Sequence, residues 1–176
     1  AVGGAVGVVV MVRVSKTNLQ DVLLVQPEVF EDHRGQYIEL YNEDEYSHKW
    51  VEQRFVQDDI SVSSHNVLRG VHGDDHTWKL ISCLYGSIYL VVVCCDPLSP
   101  QFKQWQSFVI SDRNRHQVLV PPKHGNGHLV LSDTAIFHYK QSEYYLPQNQ
   151  FTVRWDDPEY NIWWPCKDPI LSIRDS

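Results

Sequence analysis

The chain lacks the features that would assign it to several large classes. Its 176 residues include four cysteines, and no two of them stand in a C-x-x-C spacing. That excludes the dense disulfide frameworks of small secreted folds and predicts free thiols in a reducing, cytoplasmic setting. Cys94 and Cys95 lie in the apolar run Tyr89–Cys95, where buried thiols are the expected state. Positive charge is also scarce: 15 Lys+Arg stand against 22 Asp+Glu, a net charge of −7 with the nine His neutral. A nucleic-acid binder needs a basic surface for phosphates, so that class is excluded, although a few local Arg can still hold one compact anion. No segment is long enough to span a membrane. Ala1–Val12 is apolar but short, and it lacks the basic region that opens a secretory signal. Residues 1–10, ahead of the single methionine Met11, read as an extension outside the fold.

Helical patterning is nearly missing as well. Only Glu43–Gln53 has it, with charges spaced around Tyr46 and Trp50. What remains is strand. Runs rich in Val, Ile, Tyr and Trp recur at Val22–Val25, Gln36–Tyr41, Arg54–Ser61, Asn66–His72, Trp78–Tyr85, Ser87–Cys95, Gln104–Ile110, Gln117–Val120, His128–Leu131 and Ala135–Tyr139. Turn pairs separate them, among them Arg34-Gly35, Tyr85-Gly86, Asp96-Pro97 and Pro121-Pro122. Many short strands with few helices predict an all-β barrel or double-sheet sandwich. With 43% hydrophobic residues, residues 11–176 suffice for one domain with a sizeable core.

Chemistry concentrates between residues 54 and 86. Gln57, Asp59, Ser61 and Ser63 alternate along one face of a predicted strand, which therefore faces solvent or lines a polar cavity. The run Val67-Leu68-Arg69-Gly70-Val71-His72 favours the cavity, because an Arg on an apolar strand is expensive to bury without a counter-charge.

These segments resemble the dTDP-4-dehydrorhamnose 3,5-epimerase family. The likeness begins with Phe30-x-Asp32-x-Arg34-Gly35-x-Tyr37-x-Glu39, Phe55-Val56-Gln57-Asp58-Asp59-x-Ser61-x-Ser63 and Val67–His72. It continues through Lys79-Leu80, Asp96-x-x-Ser99-Pro100, Ile110-Ser111-x-x-Asn114, Pro121-Pro122 and Tyr139-Lys140. Trp155-Asp156-Asp157-Pro158, Ile162-x-Trp164-Pro165 and Leu171-Ser172-x-Arg174-Asp175 close it. The resemblance implies a cupin-type jelly-roll barrel with short peripheral helices, no metal or cofactor, and a homodimer that exchanges N-terminal strands. It implies epimerisation of a nucleotide-diphosphate 4-keto sugar at C3, C5 or both. His72 would be the base, Asp175 its orienting carboxylate, Lys79 the cation beside the enolate oxygen, and Tyr139 the acid on the opposite face. Arg69 would bind near the sugar and diphosphate, Gln57 at the pocket floor, and Arg34, Tyr37 and Glu39 on the exchanged strands.

Three departures stand out. Asn126 occupies the position of a usual active-site His, Asp59 replaces a usual Asn, and the loop from His72 to Lys79 is short and begins Gly73-Asp74. Asn hydrogen-bonds but does not titrate. This pattern resembles a branch that acts on GDP-linked 4-keto sugars, heptoses included, in capsule or lipopolysaccharide pathways. GDP- and dTDP-linked substrates both stay open at this point. So do a 3,4-ketoisomerase, a non-catalytic sugar-nucleotide-binding module, and a metal-binding cupin built on His72, His76, His124 and His128.

Overall fold

The computed structural model describes residues 11–176, so the extension assigned to residues 1–10 lies outside the described residues. The elements run β1 (Arg13–Lys16), β2 (Leu23–Gln26), β3 (Val29–Asp32), β4 (Gly35–Ile38), α1 (Glu43–Ser47), β5 (Gln57–Ser64), β6 (Leu68–Gly73) and β7 (Lys79–Tyr85). They continue as β8 (Ser87–Cys94), β9 (Trp105–Ser111), β10 (Gln117–Val120), β11 (His124–Val130), β12 (Thr134–Gln141) and β13 (Phe151–Thr152). Two antiparallel sheets face each other in a jelly-roll arrangement. One has the order β1-β2-β10-β7-β12-β5, the other β13-β6-β11-β8-β9, while β3 and β4 form a separate hairpin. Among the described residues no helix is long and apolar enough to cross a membrane.

Alternation along the strands builds the core. From the first sheet Ile81, Cys83, Val118, Val120 and Phe137 point inward to meet Ile88, Leu90, Val92, Ile110 and Val130 of the second. Strand β8 is apolar throughout because its other face is covered too. Tyr89, Val91 and Val93 pack under Trp164, Val71 and Leu129, with Trp155, Ile162 and Leu171 of the C-terminal segment around them. The outer face of the first sheet carries Leu80, Val25 and Leu119 beneath Tyr46 and Val51.

The helix is shorter than Glu43–Gln53. Asn42 caps it by accepting from the Glu45 N–H, but Trp50 adopts a φ of +70° and the Val51 N–H turns back to the Tyr46 carbonyl. Burying Val51 beside Tyr46 ends the helix and leaves Trp50 exposed. Strand β11 is longer than His128–Leu131. Its Gly-rich start is the signature of close packing: a Cβ on Gly125 or Gly127 would meet Val71, at 2.7 and 3.0 Å.

Candidate active site

The polar row of β5 faces inward. Ser61 and Ser63 point between the sheets, whereas the apolar alternates Ile60 and Val62 are exposed. The strand is inverted relative to an ordinary half-buried one because it walls a polar cavity. That cavity, of about 570 Å³, is lined by Ser61, Arg69, His72, Lys79, Asn126, His128, Phe137, Tyr139, Gln141 and Asp175, with Tyr145 and Gln150 among its rim residues.

Arg69 and His72 both line it, although residues three apart on a regular strand face opposite ways. A bulge resolves this. Asn126 pairs with His72 and His128 with Arg69, so three steps on β6 match two on β11. Gly70 sits in the bulge at a φ of +123°, with Gly127 Cα only 2.6 Å from where a Cβ would be. The bulge also frees the Gly70 N–H to donate to Asp175 Oδ2 at 3.3 Å.

Asp175 is buried, at 4% exposure. Ile170 bridges to Val67 and exchanges backbone hydrogen bonds with Asn66 and Leu68, which lays the C-terminal segment along β6. His72 Nε2 donates to Asp175 Oδ1 at 2.6 Å. Burial holds the imidazole below its ordinary value, against the pull of Asp175, so it is neutral near pH 7.

The facing sheet supplies the other groups. Lys79 Nζ donates to Asn126 Oδ1 at 3.1 Å and lies 5.9 Å from the Tyr139 ring centroid. Burial lowers the ammonium to about 8, and raises the Tyr139 phenol to about 12 with the Asp59 charge adding to it. Asp59 and Gln57 stand behind the lining. Asp59 Oδ2 accepts from Gln57 Nε2 (2.8 Å) and Gln141 Nε2 (2.7 Å), and Gln57 Oε1 accepts from the Tyr145 N–H. Arg69 Nε donates to Ser63 Oγ.

Five of the sequence-predicted residues do not line the cavity within this chain: Gln57 and Asp59, one layer behind it, and three from the hairpin region. Arg34 lies on the hairpin paired with Asp32 at 2.6 Å, Tyr37 is exposed, and Glu39 follows the hairpin and lies near Tyr46. Several cavity residues carry no substrate role in the sequence analysis, among them Gln141, Tyr145, Gln150 and His128, the last fully buried and stacked on Phe137 at 4.0 Å. The parity of His128 with Asn126 reveals it once β11 is taken back to its true start. The histidines of the metal-binding alternative are dispersed over separate tasks. His72 bonds Asp175, His128 stacks on Phe137, and His124 bonds the Pro122 carbonyl. No cluster of three His, Cys, Asp or Glu within reach of one ion occurs among the described residues.

The family model for dTDP-4-dehydrorhamnose 3,5-epimerase matches residues 16–176. The chain belongs to that family. It is 38% identical over 168 residues to the dTDP-4-dehydrorhamnose 3,5-epimerase of Escherichia coli K12, covering 93% of this chain and 91% of the relative. The crystal structure of dTDP-4-dehydrorhamnose 3,5-epimerase from Bacillus anthracis, with TDP and PPi bound, superposes with a TM-score of 0.90. That pair shares 37% identity over 94% of this chain and 97% of the other. A dTDP-4-dehydrorhamnose 3-epimerase of Streptomyces niveus is 31% identical over 167 residues, 93% of this chain and 81% of the relative. As a member of this family of epimerases, the protein is an isomerase.

Proposed function

We propose that this epimerase acts on a nucleotide-diphosphate 4-keto sugar, removing the proton α to the ketone and returning one to the opposite face. One observation carries the reading: the neutral His72 and the protonated Tyr139 stand on facing sheets, β6 and β12, across one cavity. A sugar ring between them would present one face to each, which is what inversion at a ring carbon requires.

In the first step the C–H bond at C3 breaks. His72 takes the proton, and the electron pair moves through the C3–C4 bond onto the C4 oxygen. Asp175 fixes the ring orientation and stabilises the imidazolium that forms. Lys79 meets the oxyanion, backed by the neutral amide of Asn126. A donor preorganised at such an oxygen is typically worth about 3–4 kcal/mol of barrier. In the second step Tyr139 delivers its proton to C3 from the other side. The resulting phenolate lies beside Lys79, which eases its formation. The same pair can act at C5 if the ring is presented there.

Arg69 is suited to the diphosphate. Arg34, Tyr37 and Glu39, absent from the cavity of their own chain, fit a homodimer in which the hairpin crosses to the partner subunit and completes the nucleotide site. Use of a nucleotide sugar fits a cytoplasmic enzyme. The relatives named above act on dTDP-linked sugar. Asn126 and Asp59 favour a second reading, a GDP-linked 4-keto sugar or heptose, because both change hydrogen-bonding chemistry at the cavity. Incubation in heavy water with dTDP-, GDP- and UDP-linked 4-keto sugars tests this. Deuterium is expected at C3, and also at C5 if both centres react. Absence of exchange with every sugar would sink the reading, and a 3-keto product by NMR would replace it with a ketoisomerase.

A further inference from the structure

The short connection between His72 and Lys79 is organised around one carboxylate. Asp74 is 7% exposed and accepts four hydrogen bonds. Its Oδ1 receives the N–H groups of His76 and Thr77 at 2.8 and 2.6 Å, while Oδ2 receives the Thr77 hydroxyl at 2.7 Å and Gln150 Nε2 at 3.0 Å. Its own carbonyl accepts from the Lys123 N–H. The first three bonds shape the turn that delivers the chain to β7, whose first residue is Lys79. The fourth reaches a different part of the chain, the cavity rim at Gln150, where Tyr145 also lines the opening.

We propose that Asp74 is the positioning residue of this site, setting Lys79 in the cavity and tying the rim segment Tyr145–Gln150 to the base of the same loop. A turn needs only the local bonds, and an Asn or Ser supplies those routinely. A carboxylate with both oxygens doubly used, and one bond sent to the rim 76 residues away, does more than close a turn. Burial opposes its charge, yet the four donors keep the group below the usual carboxylate range, so it remains an anion at working pH. That anion is a charge that favours protonated Lys79, against the burial that lowers it. The other groups around the amine come from every neighbouring element: His72 on β6, Asn126 on β11, Tyr139 and Gln141 on β12, Asp59 behind Tyr139 on β5, and Asp175 behind His72.

The inference rests on the epimerase reading for its catalytic meaning, so its test needs no substrate. Asp74→Asn keeps the size and the Oδ1 bonds of the turn, removes the charge, and puts an amide donor where Oδ2 accepts from Gln150 Nε2. Lysine methylation with 13C-formaldehyde, with Lys79→Arg as the assignment control, lets NMR follow the Lys79 midpoint. It is expected near pH 8 in the parent and lower in Asp74→Asn. Gln150→Ala cuts only the tie to the rim. Amide hydrogen exchange at Tyr145, Asn149 and residue 150 is expected to accelerate by about tenfold or more, while His76 and Thr77 stay protected. An unmoved Lys79 midpoint, or an unchanged rim exchange, overturns the proposal. If both shift as expected and no 4-keto sugar exchanges deuterium, the proposed function fails alone. With active enzyme, the alkaline limb of kcat/KM should move with the Lys79 midpoint, a change that a purely structural turn residue would not produce.

Discussion

His128 makes the fold sensitive to acid, and replacing it with Phe should remove a calculable part of that sensitivity. The imidazole is fully buried in the cavity wall, its ring parallel to Phe137 within 10° at 4.0 Å. Burial, helped by the positive charge of Arg69 and, once acid protonates it, by that of His72, lowers it to about 3 from an ordinary 6.5. Between those values the unfolded chain binds a proton that the native protein refuses, so acid favours unfolding. Well inside that window each pH unit is worth about 1.4 kcal/mol, and going from pH 7.5 to 4.5 costs about 2.7 kcal/mol at this one residue. His128→Phe keeps the stacked ring and has no proton to bind. At pH 7 its stability should lie within about 1.5 kcal/mol of the parent, as expected for a near-isosteric swap. The stability difference between the two proteins should then grow in favour of the variant as pH falls below 6.5. Urea unfolding followed by tryptophan fluorescence, at fixed protein concentration from pH 7.5 to 4.5, measures it. Taking the difference cancels the other groups that titrate on unfolding, including His72, His124, His138 and Asp74. Parallel stability curves across that range would show that His128 is protonated in the native cavity, and the argument from burial would fall.

Four further outcomes follow from the site. His72→Asn should abolish deuterium incorporation with the fold intact by circular dichroism; a fully active variant would remove His72 from the chemistry. Asp175→Asn should lower kcat by about 10³–10⁴-fold through loss of ring orientation, with KM little changed. Steady-state rates should decline above pH 8 as Lys79 loses its proton, approaching tenfold per unit, and a flat alkaline limb would rule out a role for that cation. Gly70→Ala should destabilise by about 2 kcal/mol or more in urea titrations, because the new Cβ meets Gly127 Cα and the Asn126 carbonyl in a left-handed backbone.

Much of this was legible in the sequence, and the illegible part has definite causes. The all-β class followed from short β-branched runs between turn pairs. The inward-facing Gln57-Asp59-Ser61 row was ambiguous by alternation, since a polar row on an edge strand reads equally as a wet surface. Arg69 and His72 decided it in favour of a cavity. How these two share one face depends on a bulge, which a residue pattern does not encode. Residue patterning alone starts strand β11 too late, because Gly and polar residues depress strand propensity; here they are present so that Val71 and Trp164 can lie flat against the backbone. Asp175 owes its burial to long-range pairing of the C-terminal segment with β6. No local signal near residue 175 records that contact.

The groups assigned above to the proposed reaction belong to different layers of the molecule. His72 and Asn126 ride on one sheet, Lys79 and Tyr139 on the other, and the filling between those sheets is Leu90, Val92, Phe137 and their neighbours. The gap that a sugar must span is thus set by the thickness of the hydrocarbon beside it. A methylene added or removed there changes a reaction distance as well as a melting temperature. Variation in the core of such a protein is screened twice, once for folding and once for the reach of two side chains that never touch the substituted atom.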